Sequence, residues 1–153
     1  MRLHELLRPE LIIVPLDAEK KCEAISELVD VLVQYHEVPM THRHGIVEEF
    51  AQNQWGAGLE RGIAVPHLST DRVEDFIFAL GISPQGINFS SLDDKPAKVV
   101  LLALTPKKAL AQELEILGDI TDFLAHGDLA NRLAAAKSSA EAYEILSSAT
   151  AAA

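Results

Sequence analysis

A single cysteine, Cys22, occurs in the whole chain, which excludes an internal disulfide and any cysteine-based zinc site. Aromatic residues make up only 5% of the sequence, too few for a base-stacking platform. Positive charge is in deficit. Lys and Arg total 13 against 23 Asp and Glu, a net charge of −10 with neutral histidines, and no lysine or arginine cluster in the sequence offsets it. A nucleic-acid partner is therefore not expected. No apolar run approaches the roughly 18–20 residues of a membrane helix. Met1 to Pro9 are broken by charge and proline, unlike a secretory signal. The expectation is a cytoplasmic protein with no membrane insertion, no metal and no cofactor.

What is present is the composition of an ordinary globular domain, 48% hydrophobic and 24% charged over 153 residues. Leu11-Ile12-Ile13-Val14, stopped by Pro15, reads as a strand at or near a sheet edge. Asp17 suits a helix N-cap, and behind it Ile25, Leu28, Val29, Leu32 and Val33 form an amphipathic stripe that runs to about His36. Thr41 is placed to cap a second helix with Ile46, Val47 and Phe50, which should end before the glycine loop Trp55-Gly56-Ala57-Gly58. Phe76 to Leu80 and Val99 to Leu104 are apolar without alternation, as strands buried on both faces are. Helices follow from Ala109 to about His126, Asp128 to about Lys137 and Ser138 to about Ser148, the last opened by a Ser138/Glu141 capping box. The fold class expected is α/β, a three-layer α/β/α sandwich around a small mixed β-sheet. Residues 1–148 should form one domain, and the alanine-rich 149–153 a frayed tail.

The stretch richest in chemistry is Gly62-Ile63-Ala64-Val65-Pro66-His67. A glycine, a three-residue strand and a proline together fix the direction in which one imidazole leaves the sheet, and strand exits commonly carry functional groups. One histidine defines no reaction, however, and from the residues alone a plain surface-loop histidine is an equal reading.

Gly-Ile-Ala-Val-Pro-His resembles the phosphorylation-site signature of enzyme IIA domains of the mannitol/fructose and nitrogen-regulatory type, from the bacterial phosphotransferase system. The resemblance extends over nearly the whole chain. It takes in the opening Leu6-Leu7-Arg8-Pro9-Glu10, the helix around Lys20 and Ala24, the segment Gly86 to Pro96 and the closing Ala142-Tyr143-Glu144-Ile145-Leu146. It implies a phosphocarrier in which His67 accepts a phosphoryl group from the phosphohistidine of an HPr-type carrier. The recipient would be a IIB protein or a regulatory target. Neutral imidazole is a competent nucleophile near pH 7, and phosphoryl transfer asks the protein mainly for alignment and charge stabilisation.

Two positions depart from the family pattern. Where the family carries an Arg-Glu pair at the end of the second helix, this chain reads Gln52-Asn53-Gln54-Trp55. Where the family often has a second histidine in His-Leu-x-x-Leu, this chain has Glu113-Leu114-Glu115-Ile116-Leu117. Glu113 also stands out by periodicity, since it shares a helix face with Leu117, Ile120 and Leu124. It has two readings: a carboxylate held against the core, or a first-turn acid that reaches solvent. Arg61 likewise is either a phosphate-binding group in place of the missing arginine or a side chain turned to water.

The weaker candidates are bland by default. His42 and His44 diverge by about 200° on a helix and do not suggest a shared metal. Cys22 reads as inert packing. Two functions remain in play: a phosphocarrier of the nitrogen-regulatory branch, favoured by the stand-alone length, and a degenerate IIA-like module that regulates a partner without being phosphorylated.

Overall fold

The computed structural model describes residues 2–53 and 58–152, so the expected glycine loop at 54–57, with Trp55, lies outside the described residues. A short helix α1 (Leu3–Leu6) and a 3-10 turn (Pro9–Leu11) lead into β1 (Ile12–Ile13). Helices α2 (Lys21–Gln34) and α3 (Arg43–Gln52) follow, then strands β2 (Ile63–Ala64), β3 (His67–Thr70), β4 (Ile77–Ile87) and β5 (Ala97–Pro106). The chain closes with α4 (Leu110–Ala125), α5 (Leu129–Ala134) and α6 (Ser139–Ala152).

The sheet order is β1-β4-β5-β2, with β3 also on β5. β4 and β5 are antiparallel, and the other pairings are parallel. This is the expected mixed sheet, with β1 at its edge. Val99 through Thr105 are all buried. Because neighbouring residues on a strand point to opposite faces, both faces of β5 are covered. One helical group, α2 with α3, packs on β4 and β3. The other chains α4, α5, α6 and α1 together and reaches β4, β5 and β1.

The local boundaries moved where side chains claimed backbone groups. Asp17 is not a cap. Its N–H and that of Ala18 donate to the Glu27 carboxylate at 2.9–3.0 Å, which keeps that segment out of helical conformation until Lys21. Thr41 does not cap either: Met40–His42 form a 3-10 turn and α3 begins at Arg43 without a side-chain cap. The capping box at α6 is present, with Glu141 N–H donating to Ser138 Oγ at 3.1 Å. The Glu141 carboxylate reaches back to the N–H of Lys137 at 3.2 Å. α6 continues to Ala152, past the Ser148 end expected, in keeping with the high helix propensity of alanine.

The largest difference concerns His67. It does not leave the sheet into a loop but opens a second strand. Ile63 lies opposite Val99 and His67 opposite Ala103, so the register on β5 is unbroken across Val65-Pro66. β2 and β3 are therefore one edge strand interrupted at a proline. Pro66 has no N–H to give, but its carbonyl still accepts from Ala103 N–H at 2.9 Å.

Candidate functional site

The edge strand is launched by two successive left-handed residues, Arg61 (φ 63°) and Gly62 (φ 75°). Glycine is comfortable there and arginine is not. Arg61 is held by two bonds: its backbone N–H donates to Asp93 Oδ2 at 3.1 Å, and its guanidinium Nη1 donates to the Ala125 carbonyl at 2.6 Å. The Gly62 carbonyl accepts from Lys98 and Val99 N–H at 2.8 and 3.0 Å. The first residue of the signature thus fixes the register that brings His67 to its place.

Thr70 Oγ1 donates to Glu49 Oε2 on α3 at 3.1 Å, so the even-numbered residues of β3 face α3. His67 and Ser69, on the opposite face, point toward the side of α4. Ile63, of the same parity as His67, lines a cleft with Thr121 and Ala125 of α4. Since β5 feeds α4 through a 3-10 turn at Lys107–Ala109, α4 runs back alongside the edge strand, antiparallel to it. From Ile63 to His67 the strand rises about 13 Å. About nine residues of helix cover the same distance, which leads back from the Thr121–Ala125 level to the first turns of α4, around Glu113.

Glu113 is buried, at 5% exposure, on the stripe with Ile120 and Leu124. Among the described residues nothing hydrogen bonds to its carboxylate. Leu110 and Leu114, one turn apart beside it, are 59% and 68% exposed. Arg61 is not part of this end. Its guanidinium donates one bond to the C-terminal carbonyl of α4, twelve residues or about 18 Å of helix from Glu113, and the structure does not bring it to His67. Ser69, which the sequence offers only as a hydrolase nucleophile without the elbow motif that role needs, is half-buried on the same face as His67. Period-two alternation finds it once His67 is placed on a strand.

His67 itself is exposed, and its Nδ1 lies 2.9 Å from the Val65 carbonyl. A carbonyl can only accept, so Nδ1 carries a proton, and in the neutral ring Nε2 is the nitrogen that holds the lone pair. The arrangement defines a nucleophile, Nε2, whose tautomer and ring orientation are set by backbone.

The class this fold defines is a mixed-sheet α/β domain that presents an exposed histidine on an edge strand. The chain belongs to the family described as "Phosphoenolpyruvate-dependent sugar phosphotransferase system, EIIA 2", whose profile matches residues 5–149. It is similar to the fructose-specific EIIA component of Haloferax volcanii, 35% identical over 89 residues, a match that spans only 58% of either chain. It is also similar to the nitrogen regulatory protein of Bradyrhizobium diazoefficiens, 26% identical over 148 residues and 95% of both. In fold it matches nitrogen regulatory protein IIA-Ntr from Neisseria meningitidis, with a TM-score of 0.80 at 22% identity, over 94% of this chain and 98% of that one.

Proposed function

We propose that this protein is a phosphocarrier whose acceptor atom is His67 Nε2. The observation that carries the reading is the Val65 carbonyl on Nδ1 of an exposed His67, which makes Nε2 the attacking nitrogen of the neutral ring. Nε2 attacks the phosphorus of a phosphohistidine on an HPr-type carrier. The new N–P bond forms as the carrier's P–N bond breaks, and the carrier nitrogen regains its lone pair. The proton stays on Nδ1 throughout, donated to the Val65 carbonyl, which stabilises the positive charge that the phosphorylated ring shares. Ser69 supplies a hydroxyl on the same face for a phosphoryl oxygen. Glu113 sets the energy of the phosphorylated state by repulsion across the cleft. Arg61 has no part in transfer.

The partner surface combines the exposed Leu110 and Leu114 with the edge strand up to Thr70. The net charge of −10 favours encounter with a basic face of the carrier, chiefly through the association rate. Downstream, a IIB protein or a regulatory target receives the group. End-to-end similarity to a nitrogen regulatory protein supports the nitrogen-regulatory branch. The test is incubation with phosphoenolpyruvate, enzyme I and each HPr-type carrier, followed by intact mass. An acid-labile, base-stable phosphoryl adduct that is lost in His67→Ala is the expected result.

A second reading has an observation of its own. A carboxylate with no cationic partner among the described residues, at the level of His67, is what a degenerate, non-phosphorylated module would tolerate. Absence of an adduct with every cognate carrier would establish that reading instead.

A further inference from the structure

At the end of α4 far from His67, a cleft of about 640 Å³ opens between the edge strand, the loop before β5 and α5. Its rim carries three cations, Arg61, Lys95 and Lys98, together with the Asn131 amide, and no carboxylate lines it. That composition is unusual for this molecule, whose acidic groups outnumber its basic ones by 23 to 13. Among the described residues none of the three side chains makes a close ion pair, whereas Arg2, Arg8, Arg43 and Arg72 all do; the Asp93 carboxylate acts on Lys95 only through its field. Asp93 offsets only part of three gathered like charges, and an anion between them relieves the remaining repulsion.

The cations are held on fixed backbone. Asp93 accepts from the N–H groups of Arg61 and Lys95, both at 3.1 Å, which turns its carboxylate onto the loop. Lys98 N–H is locked to the Gly62 carbonyl at 2.8 Å. Arg61 uses one guanidinium N–H on Ala125 and keeps others for a ligand. The rest of the lining includes apolar surface from Pro96, Leu124, Ala130 and Ala134. A cleft of this size, with charge at one rim and apolar surface in its lining, has the make-up of a small-molecule site.

We infer that this cleft binds a small phosphate monoester, the phosphate on Arg61, Lys95 and Lys98 and the organic body against that apolar surface. The site is separate from His67 and does not depend on phosphoryl transfer. Because Arg61 joins the cleft both to α4 and to the strand that leads to His67, occupancy bears on the orientation of the two elements that frame the acceptor.

The test is amide chemical-shift titration of the isotope-labelled full chain at low salt with AMP, glucose phosphate and glycerol phosphate. Adenosine, glucose and inorganic phosphate are the controls. Saturable shifts at Gly62, Gly127 and Asn131 are expected with at least one ester, absent with the uncharged compounds and weaker with inorganic phosphate. Lys95→Ala/Lys98→Ala, at two exposed positions, should weaken binding about 10-fold or more, the size expected for lost charge-assisted hydrogen bonds. His67→Ala should bind as wild type does. The inference is overturned if no ester gives saturable shifts at millimolar concentration. It is equally overturned if the shifts centre on His67, if the double variant binds unchanged, or if inorganic phosphate binds as tightly as every ester. A null outcome would leave phosphorylation of His67 untouched, so the two proposals fail separately.

Discussion

The two ends of α4 carry opposite chemistry. At its start Glu113 is buried with no partner among the described residues, at the level of an exposed imidazole whose Nε2 holds the lone pair of the neutral ring. At its end a guanidinium is bonded to the last helical carbonyl, in keeping with the favourable placement of a cation at a helix C-terminus, and Lys95 and Lys98 gather around it. The first end is left unsatisfied and the second is tied down. Reactive groups must stay available, whereas groups that fix the strand's register must not move. One helix serves both needs because its length separates them by about 18 Å.

The sharpest break in this comparison is His67→Ala, which should abolish phosphoryl labelling completely. His44→Ala, at a side chain 89% exposed, should leave labelling intact. Labelling that persists in His67→Ala would place the acceptor elsewhere. Next in size is Glu113→Gln. At a separation of about 6 Å and an effective dielectric near 20, two unit charges repel by roughly 2.8 kcal/mol, so removing the charge should raise the phosphorylated-to-free ratio by up to about 100-fold. Equal ratios in variant and wild type, measured at equilibrium against one carrier, would show that the carboxylate does not face the phosphoryl group.

Leu110→Ser/Leu114→Ser tests the same end as a docking surface. Carrier affinity should fall about 10-fold, while stability changes by no more than about 0.5 kcal/mol because both side chains are exposed. Salt should slow association with the carrier, and insensitivity to ionic strength would contradict the acidic-surface account. At the other end, Arg61→Ala should cost about 1 kcal/mol in urea unfolding, through the bond to Ala125, with labelling unchanged. A labelling defect in a stably folded Arg61→Ala protein would reunite the two ends.

The smallest effect is in acid. The Arg61 backbone N–H, then that of Lys95, holds the Asp93 carboxyl below the usual carboxylate range. A depressed folded-state value means that Asp93 stabilises the fold above the ordinary aspartate pKa of about 3.9 and loses that contribution as pH falls through the lower folded value. Asp93→Asn should therefore flatten the acid limb of stability slightly. An unchanged limb would mean that the loop contact is equally strong in the unfolded chain.

The fold was legible wherever pattern and packing agree. The doubly buried run at Val99–Leu104, the stripe from Ile25 to Val33 and the box at Ser138 appear as the sequence reads, while the run at Phe76–Leu80 enters its strand at Ile77 and is buried from Phe78. Boundaries were lost where a distant side chain intervened. Glu27 captures the N–H groups of Asp17 and Ala18 from ten and nine residues away, and no local propensity contains that contact.

For the site, local sequence determined the placement of the proposed acceptor: a glycine able to take φ 75°, a short apolar run and a proline put His67 at a defined register. What only the tertiary structure decided is everything that depends on which surfaces meet. The pairing with β5 turned an expected loop residue into the first residue of a strand. The return of α4 along that strand carried Glu113 to the level of His67 and Arg61 away from it. No basic cluster exists along the chain, yet Arg61, Lys95 and Lys98 converge, because residues that are far apart in sequence become neighbours only when the Gly62 carbonyl pairs with the start of β5. Short-range geometry is written in residue type, whereas charge convergence is a property of three-dimensional packing.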